Sequence, residues 1–516
     1  MRNQIQKHRL CFFILLLFFT IIIRTPIFSL PIDNDTGART YHASLILQGE
    51  PLYSTHHPNH HLPAIYYTYA FIFLLLGENS NSLQLFLIFW IWLNAIFLYK
   101  LGSKLTNSYG GMLASFLYVF IGSMTNIAGD TAQTELFVNT FMTISIWLSA
   151  DLVQHKRKPI IYFLLGTLCA ICFLYKAIYL APIIVAISMI MLKYVFKIHS
   201  STLKSTILHI VLTSLGFLTV ILIVFGYFHS KGLLSKFLLV FTNGSGYVNL
   251  VDLHWIFVLI IPFFMLSSVN LFLLLFGMLN LTRSIVNLFR KFHLKDSKFI
   301  IKLMIIIWFA VSIIEAGFSK FIFFHYGLLL LPPLVLLAGT EIAELVQIIK
   351  VNFPKISILK VYLLPGIFIM LIIGNTIFTS YGYLSGFIQY RSGNISLEDY
   401  AINNTMLGYH NVIASKIADY INENSKTGDR ILNWSELAQI PYLANRQLST
   451  DTVWPLHLTN LGNPQRAFIL KPLYVIVGPS FINGEPIPKW LENELVESYK
   501  LDKTYDDFSI YRRKIK

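Results

Sequence analysis

The sequence predicts a polytopic α-helical membrane protein with a small α/β domain at its C-terminal end. Of its 516 residues, 55% are apolar and only 13% are charged, whereas a soluble globular chain carries about 25% charged residues. Apolar runs long enough to cross a bilayer, which takes ~20 residues, recur through the first three-quarters of the chain. From about Tyr381 the composition becomes polar, with turns rich in Gly, Asn and Asp. We therefore expect a membrane region over residues 1–380 and a separate domain over residues 381–516.

The first apolar run, Leu10–Leu30, follows a short basic N-terminal segment. It is longer than the apolar part of a typical signal peptide, and no small-residue cleavage site follows it. We interpret it as a retained signal-anchor whose basic end lies in the cytoplasm.

A second apolar run, Leu62–Gly77, is too short to cross the bilayer comfortably and fits an interfacial helix in the first outer loop. Eleven spans then remain, and their loops place 20 Lys and Arg residues on the cytoplasmic side and 5 on the outer side. Counting Leu62–Gly77 as a span would invert every later loop, so the positive-inside rule favours a cytoplasmic N-terminus and an outer C-terminus. The predicted spans are residues 10–30, 83–101, 110–128, 134–152, 159–174, 177–195, 206–228, 255–281, 299–316, 323–347 and 357–379.

The charge and the cysteines argue against two other classes of protein. The net charge of +14 is explained by the cytoplasmic loops and does not require nucleic-acid binding. Cys11, Cys169 and Cys172 all lie in apolar runs, where cysteine behaves as a small hydrophobic residue. No cysteine lies in the polar C-terminal part, so that part has no disulfide framework.

The first outer loop, residues 31–82, carries a dense polar cluster directly after the first span. Asp33 and Asp35 are its carboxylates, and a reaction site at the lipid–water boundary would need such groups. Asp is also a favoured N-cap residue, so either carboxylate could instead cap the next helix. Four histidines follow, and their spacing is not a known metal-ligand pattern, so contact with substrate or headgroups is preferred over a metal site. They are His56, His57, His60 and His61.

Further polar residues fall on the same predicted outer face, at the ends of later spans. Charged side chains at span ends cost free energy, more so towards the helix centre, and the whole set is hard to attribute to chance. We expect these residues to converge with Asp33 and Asp35, although any one could simply end a helix at the water surface. The set comprises Asp130, Glu135, Lys176, Lys320, His325 and Tyr326, the last two also being candidates for interfacial anchoring.

The C-terminal part has the alternation of helix and strand patterns that is typical of a small α/β domain. It shows no nucleophile elbow, no Gly-rich phosphate loop and no metal-ligand spacing. We expect it to bind or shield substrate, or to stabilise the protein. The predicted elements are a helix over His410–Asn424, strands over Arg430–Trp434 and Leu473–Val477, a helix over Trp490–Glu497 and a last strand over Phe508–Arg512.

An ordered series of motifs resembles the GT-C superfamily of glycosyltransferases that use polyprenyl-phosphate sugars. The most similar branch contains protein O-mannosyltransferases, lipid A aminoarabinose transferases and Rgt-type lipopolysaccharide sugar transferases. The series runs through most of the chain in the order of the predicted topology. It comprises Asp33-Asn34-Asp35, Gly49-Glu50-Pro51-Leu52-Tyr53, His57-Pro58, Thr134-Glu135-Leu136-Phe137, Phe173-Leu174-Tyr175-Lys176, Ser319-Lys320-Phe321, His325-Tyr326 and Gly428-Asp429-Arg430.

The resemblance implies transfer of a sugar from a polyprenyl-phosphate donor to a hydroxyl of a glycan, lipid or protein acceptor. One in-line displacement, with Asp33 or Asp35 as general base, would invert the anomeric centre. The substrate-binding candidates are Asp130, Glu135, Lys176, Lys320, His325, Tyr326, His57 and His60. Asn34 separates the two carboxylates where the family has an adjacent pair, and Lys320 stands where arginine is frequent, which leaves the sugar and the acceptor undefined.

Two alternatives use the same general architecture. One is a lipid or oligosaccharide transporter, which is often built from internal repeats, and none is visible here. The other is a polysaccharide polymerase or ligase, which would not need the acidic first loop. No cofactor is firmly indicated, and a divalent metal is possible but not favoured. A bacterial inner membrane is the default location because no eukaryotic sorting signal is visible.

Overall fold

The structure is a computed structural model. It describes residues 2–56, 61–248, 254–291, 297–318, 320, 322–355, 357–405, 407–454, 467–479 and 487–514. Nineteen α-helices and four β-strands follow one another in these ranges. The helices are α1 (Arg2–Arg24), α2 (Asn34–Leu47), α3 (Ala64–Leu76), α4 (Ser80–Leu105), α5 (Ser108–Ile121), α6 (Thr134–Gln154), α7 (Ile160–Tyr175), α8 (Ala181–Val195), α9 (Leu203–Ser230), α10 (Leu234–Val248), α11 (Ile256–Lys291), α12 (Ser297–Gly317), α13 (Gly327–Asn352), α14 (Ile358–Thr379), α15 (Tyr381–Arg391), α16 (Leu397–Asn404), α17 (Gly408–Asn424), α18 (Ile440–Leu443) and α19 (Lys489–Ser498).

The predicted fold class is confirmed, and each of the eleven predicted spans contains a helix. Within the described residues, eight helices are long and apolar enough to cross a membrane. The other three predicted spans are the shorter helices α5, α7 and α8, of 14, 16 and 15 residues. The run predicted to be interfacial forms α3, which has 13 residues and is well below the ~20 that a crossing requires. The chain is therefore a multi-pass membrane protein.

Two spans end earlier than their apolar runs predicted. Helix α1 ends at Arg24, and the chain continues as a 3₁₀ turn over Thr25–Ser29. Helix α5 ends at Ile121 instead of continuing to residue 128. In the second case the cause is a tight turn, because Gly129 N–H donates to the Met124 carbonyl oxygen at 2.8 Å.

The residues group into two compact units, which we describe separately. The first comprises residues 1–27, 84–227 and 246–384, and the second comprises residues 28–83, 228–245 and 385–516. The helices of the first unit pack around α13, whose apolar stretch is almost entirely buried. A Cβ at Gly339 would lie 2.9 Å from the Ala114 nitrogen of α5, so a small residue is what lets the two backbones approach.

The second unit contains a four-stranded sheet of order β1-β2-β4-β3. Strand β1 (Ile431–Trp434) pairs in parallel with β2 (Tyr474–Val477), whereas β3 (Tyr499–Tyr505) and β4 (Phe508–Arg513) continue the sheet antiparallel. The predicted strands are confirmed to within a residue or two, as are the helices α17 and α19. Strand β3 was not predicted, because most of its side chains are exposed and polar and give no period-two apolar signal.

Helix α2, from the first outer loop, shares a hydrophobic core with this sheet. Ala38, Tyr41 and Leu45 lie on one face of α2 and are buried with Ile417 of α17 and Ile476 of β2. The Tyr41 hydroxyl accepts the Leu448 N–H at 3.0 Å. The first outer loop is thus an integral part of the second unit and not a separate surface segment.

A glycine allows α2 to approach the C-terminal residues this closely. A Cβ built on Gly37 would lie 2.6 Å from the Gln439 Cα and closer still to its Cβ. Real Cβ atoms do not come that near to backbone atoms, so any side chain at position 37 would push α2 away from Gln439.

Candidate functional site

Asp33 is the N-cap of α2. Its Oδ1 accepts the Thr36 N–H at 3.0 Å, and its backbone is extended, as an N-cap requires. The side chain is buried, with 7% of its surface exposed. Burial, and secondarily the negative charge of Asp35, raises the pKa of the Asp33 carboxyl above its ordinary value. The capping alternative is therefore realised in the structure, and the same carboxyl takes up a proton at a higher pH than an ordinary aspartate does.

Asp35 lies in the first turn of α2 and has a different environment. Its carboxylate forms an ion pair with Arg39, one helical turn later, at 3.2 Å, and 31% of its side chain is exposed. The Arg39 side chain is almost fully buried and also contacts the Tyr69 phenol of α3. The pair places one fixed cation beside the two carboxylates. Of the two, Asp33 has the environment that suits a general base better.

Glu135 begins a second polar cluster, within the first unit. The Tyr179 hydroxyl donates to Glu135 Oε1 at 2.5 Å, and only 1% of Glu135 is exposed. Its second oxygen, Oε2, is buried with no hydrogen-bond partner among the described residues. A buried acceptor without a donor costs free energy, so this oxygen is available to a ligand hydroxyl.

Lys176 and Tyr326 contact each other near Tyr179, the residue that donates to Glu135. Lys176 Nζ donates to the Tyr326 hydroxyl at 2.8 Å and lies 4.3 Å from the centre of the Tyr326 ring. The same ammonium is 6.0 Å from the ring centre of Tyr179. The His325 ring lies edge-on to Tyr326, with centroids 4.5 Å apart. The structure therefore brings four of the predicted residues into one cluster, together with Tyr179, which the sequence analysis missed.

Glu315 of α12 is a second buried carboxylate near this cluster. Its Oε1 accepts the Ala181 N–H at 2.6 Å, at the first residue of α8. Unpaired N–H groups at a helix N-terminus attract negative charge, so this contact satisfies one of them. Its Oε2 is also buried without a hydrogen-bond partner in the described part of the chain.

Asp130 is associated with Arg24, which interacts with it electrostatically. Arg24 is fully buried; it donates to the Gly129 carbonyl at 2.7 Å and to Gln84 Oε1 at 2.8 Å. Gln84 in turn donates to the Asp130 carbonyl at 3.2 Å. Arg24 was missed because it lies inside an apolar run. A single arginine near the C-terminal end of such a run was the available signal, because the predicted topology places that end away from the cytoplasm, where cations are expected.

The remaining predicted residues are Lys320, His57 and His60. Lys320 is half-buried and has a left-handed backbone, with φ of 60°, which is uncommon for a residue with a side chain. His57 and His60 lie outside the described residues. His56, next to them, is buried and lies 3.3 Å from the Tyr41 hydroxyl.

Among the described residues, no three His, Cys, Asp or Glu side chains are grouped to hold a metal ion. Asp33 and Asp35 supply only two carboxylates, and one oxygen of each is already engaged, by Thr36 and by Arg39 respectively. The arrangement is therefore suited to proton transfer and hydrogen bonding.

Comparison with solved structures identifies the architecture. ArnT from Cupriavidus metallidurans, crystallised with undecaprenyl phosphate, matches over 96% of this chain and 97% of its own, with a TM-score of 0.57 and 12% identity. The oligosaccharyltransferase of Archaeoglobus fulgidus, tethered to an acceptor peptide, matches over 90% of this chain and 69% of its own, with a TM-score of 0.55 and 10% identity. The chain has the GT-C fold. The fold that the sequence motifs implied is thereby confirmed.

Sequence profiles agree with the GT-C fold over parts of the chain. The profile described as dolichyl-phosphate-mannose-protein mannosyltransferase matches residues 56–227, about a third of the chain. A profile named for the C-terminal domain of the competence-induced protein Ccs4 matches residues 413–514. No curated protein sequence matches this chain significantly.

Proposed function

We propose that this protein is a membrane glycosyltransferase that moves a sugar from a polyprenyl-phosphate donor to an acceptor hydroxyl, with Asp33 as general base. The observation that carries the proposal is Asp33 itself, a buried carboxylate that begins the first helix after the first span of a GT-C fold. Two solved structures with this fold contain lipid phosphates, undecaprenyl phosphate in ArnT and dolichol-phosphate in the archaeal oligosaccharyltransferase.

The proposed reaction is a single displacement. Asp33 removes the proton from the acceptor hydroxyl as its oxygen attacks the anomeric carbon, and the bond from that carbon to the phosphate oxygen breaks. The transition state has oxocarbenium character, and the product has the inverted anomeric configuration. A base whose pKa is raised towards the working pH is the more effective one.

The leaving group is the lipid phosphate, whose negative charge grows as the bond breaks. A fixed cation stabilises such charge, and Lys176, Lys320 and His325 are the candidates. Glu135 and Glu315 each retain a buried acceptor oxygen that could bind a hydroxyl of the donor sugar or the acceptor.

The test is a transfer assay with the purified full-length protein and a panel of radiolabelled polyprenyl-phosphate sugars. Asp33→Asn keeps the side chain's size and one acceptor oxygen for the cap, and should lower the turnover rate by about 10²–10⁴-fold. Asp35→Asn is the matched control and should retain much more activity. Full activity in Asp33→Asn would refute the base assignment, and movement of the intact lipid between leaflets without transfer would support a transporter instead.

A further inference from the structure

A polar cleft in the second unit, away from Asp33, is built like a binding site. Its volume is about 990 Å³, within the range of known ligand sites of about 300–1,000 Å³. One wall is formed by the C-terminal half of α2 with the segment around Glu78. The other is formed by residues 427–430 and by residues 441–447, which comprise most of α18 and the residues that follow it. No residue of a β-strand lines it, so it has no strand edge to which an extended peptide could add.

Hydrogen bonds within the second unit hold the walls of the cleft in place. Buried Arg446 donates to the Ser425 hydroxyl and carbonyl at 2.9 and 2.8 Å and to the Ala444 carbonyl at 2.9 Å. These bonds tie residues 441–447 to the end of α17. The Asp429 carboxylate accepts the Lys426 N–H at 2.7 Å and fixes the turn from Lys426 to Asp429. A site whose walls are ordered beforehand loses less entropy when it binds.

The side chains that face the cleft are planar and polar. Glu78 accepts a hydrogen bond from Ser44, and Arg430 uses one nitrogen to bind the Leu448 carbonyl at 2.8 Å. Exposed Gln48 adds an amide that both donates and accepts. The half-buried Tyr442 adds an aromatic ring, and burial together with the Glu78 charge raises the pKa of its phenol to about 12, so it stays protonated.

This chemistry matches a polyhydroxylated ligand. Neighbouring sugar hydroxyls each donate and accept, as an amide does, and a guanidinium or carboxylate can bind two of them at once. Glu78 is the carboxylate among the residues that line the cleft, and Arg430 and Arg446 are its guanidinium groups. Arg446 already donates four hydrogen bonds to protein acceptors. A lipid tail would meet these polar groups beside the apolar Leu45, Pro441 and Leu443, and an isolated phosphate would find only one more guanidinium than carboxylates.

We infer that this cleft binds the glycan part of the acceptor, several sugar units from the hydroxyl that receives the new sugar. Asp33 and Ser44 lie at opposite ends of α2, which places the cleft about 16 Å from Asp33 along the helix axis. An oligosaccharide could therefore occupy the cleft while its terminal hydroxyl reaches the carboxylate. This inference rests on the proposed function and names the class of acceptor.

Binding to the purified full-length protein can be measured without any donor. Saturation-transfer NMR with maltohexaose, chitohexaose and mannohexaose should detect binding of at least one hexasaccharide. Gly428→Trp should abolish that binding, because a Cβ at Gly428 meets no atom within 4 Å and the indole can occupy the cleft without strain. Gln48→Ala, which removes an exposed amide, should weaken it roughly three- to tenfold. Asn493→Trp, on an exposed surface of α19, is the matched control and should bind normally.

The outcomes separate this inference from the proposed function. Binding of no hexasaccharide, or equal binding by Gly428→Trp, would overturn the inference, as would binding of a Ser/Thr-rich peptide alone at the same site. Asp33→Asn should bind the hexasaccharide normally while transfer is lost. If no donor supports transfer yet glycan binding is lost in Gly428→Trp, the cleft stands and the proposed reaction fails.

Discussion

The two units hold their buried carboxylates in different ways. In the first unit, Glu135 accepts from the Tyr179 phenol and Glu315 from the Ala181 N–H, at 2.5 and 2.6 Å. In the second unit, Asp33 accepts one N–H at 3.0 Å with a second carboxylate close by, and its pKa is raised. Asp33 is thus a desolvated carboxylate beside a like charge, and both effects make it more ready to take a proton. The comparison therefore favours Asp33, which lies in the loop after the first span, as the carboxylate to test as the base.

The second unit also contains the clearest case of a carboxylate dominated by burial. Glu436, 6% exposed, has its pKa raised by desolvation from its ordinary 4.5 to about 7. The pKa of Glu436 is higher in the folded state than in the unfolded state. Its contribution to the free energy of unfolding is therefore complete below about pH 4.5 and is lost as the pH rises through 7. Glu436→Gln should remove this loss and raise the stability of the protein above pH 7 by about 3 kcal/mol.

Thermal unfolding of the full-length protein between pH 5 and 8 would check this. The variant and the wild type should differ more at pH 8 than at pH 5, with Glu494→Gln, a half-buried residue of α19, as the control. A constant difference across this range would show that Glu436 does not titrate there.

In the first unit, the effect of a strong donor on a buried carboxylate can be tested by removing the donor. Tyr179→Phe removes the hydroxyl that donates to Glu135 and leaves both carboxylate oxygens without a protein donor, since Oε2 already lacks one among the described residues. Leaving a buried acceptor unpaired costs about 1–3 kcal/mol. We expect a lower unfolding temperature in detergent, while Tyr194→Phe, a partly exposed tyrosine of α8, should change little.

Glu135→Gln, made alone and together with Tyr179→Phe, tests whether the two residues stabilise the protein through their shared bond. Each single variant and the double variant give a loss of unfolding temperature. If the bond to Tyr179 is what Glu135 provides, the two losses should be far from additive, as for residues in one network. Additive effects would mean that the Tyr179 hydroxyl and Glu135 act independently.

The smallest expected effect concerns the acid side of the pH–rate profile for sugar transfer. The rate should fall as Asp33 becomes protonated, and the raised pKa of Asp33 places that fall above the ordinary aspartate range near 3.9. Asp35→Asn removes the neighbouring negative charge, which is one cause of the raised pKa, so the acid limb should move to lower pH. A pH–rate profile of the two proteins checks this, and a shift to higher pH would contradict the assignment of Asp33.

Local features of the site could be predicted from the sequence. Asp33 and Asp35 lie within one helical turn of each other, directly after a span, and an aspartate before a helix is an N-cap signal. The spans could be predicted because bilayer thickness sets a length that apolar runs reveal. Their ends were less certain, as α1 and α5 show, since hydropathy does not register where the chain turns.

Long-range contacts could not be predicted in this way. Tyr179 joins Glu135 across 44 residues, and Lys176 joins Tyr326 across 150. No periodic pattern in either segment encodes its partner. The shared core of α2 and the sheet is a stronger case, because the apolar face of α2 would equally suit a membrane surface.

The bond between Tyr41 and the Leu448 N–H spans 407 residues, and it has a consequence for how the protein is made. Domains generally form in the order in which the ribosome delivers them, yet α2 is synthesised near the start and its packing partners near the end. Every membrane span must therefore be inserted before the helix that begins with Asp33 can be seated. Assembly of the second unit must wait for its C-terminal residues, and a chain truncated before Leu448 would lack the bond that holds α2 to them.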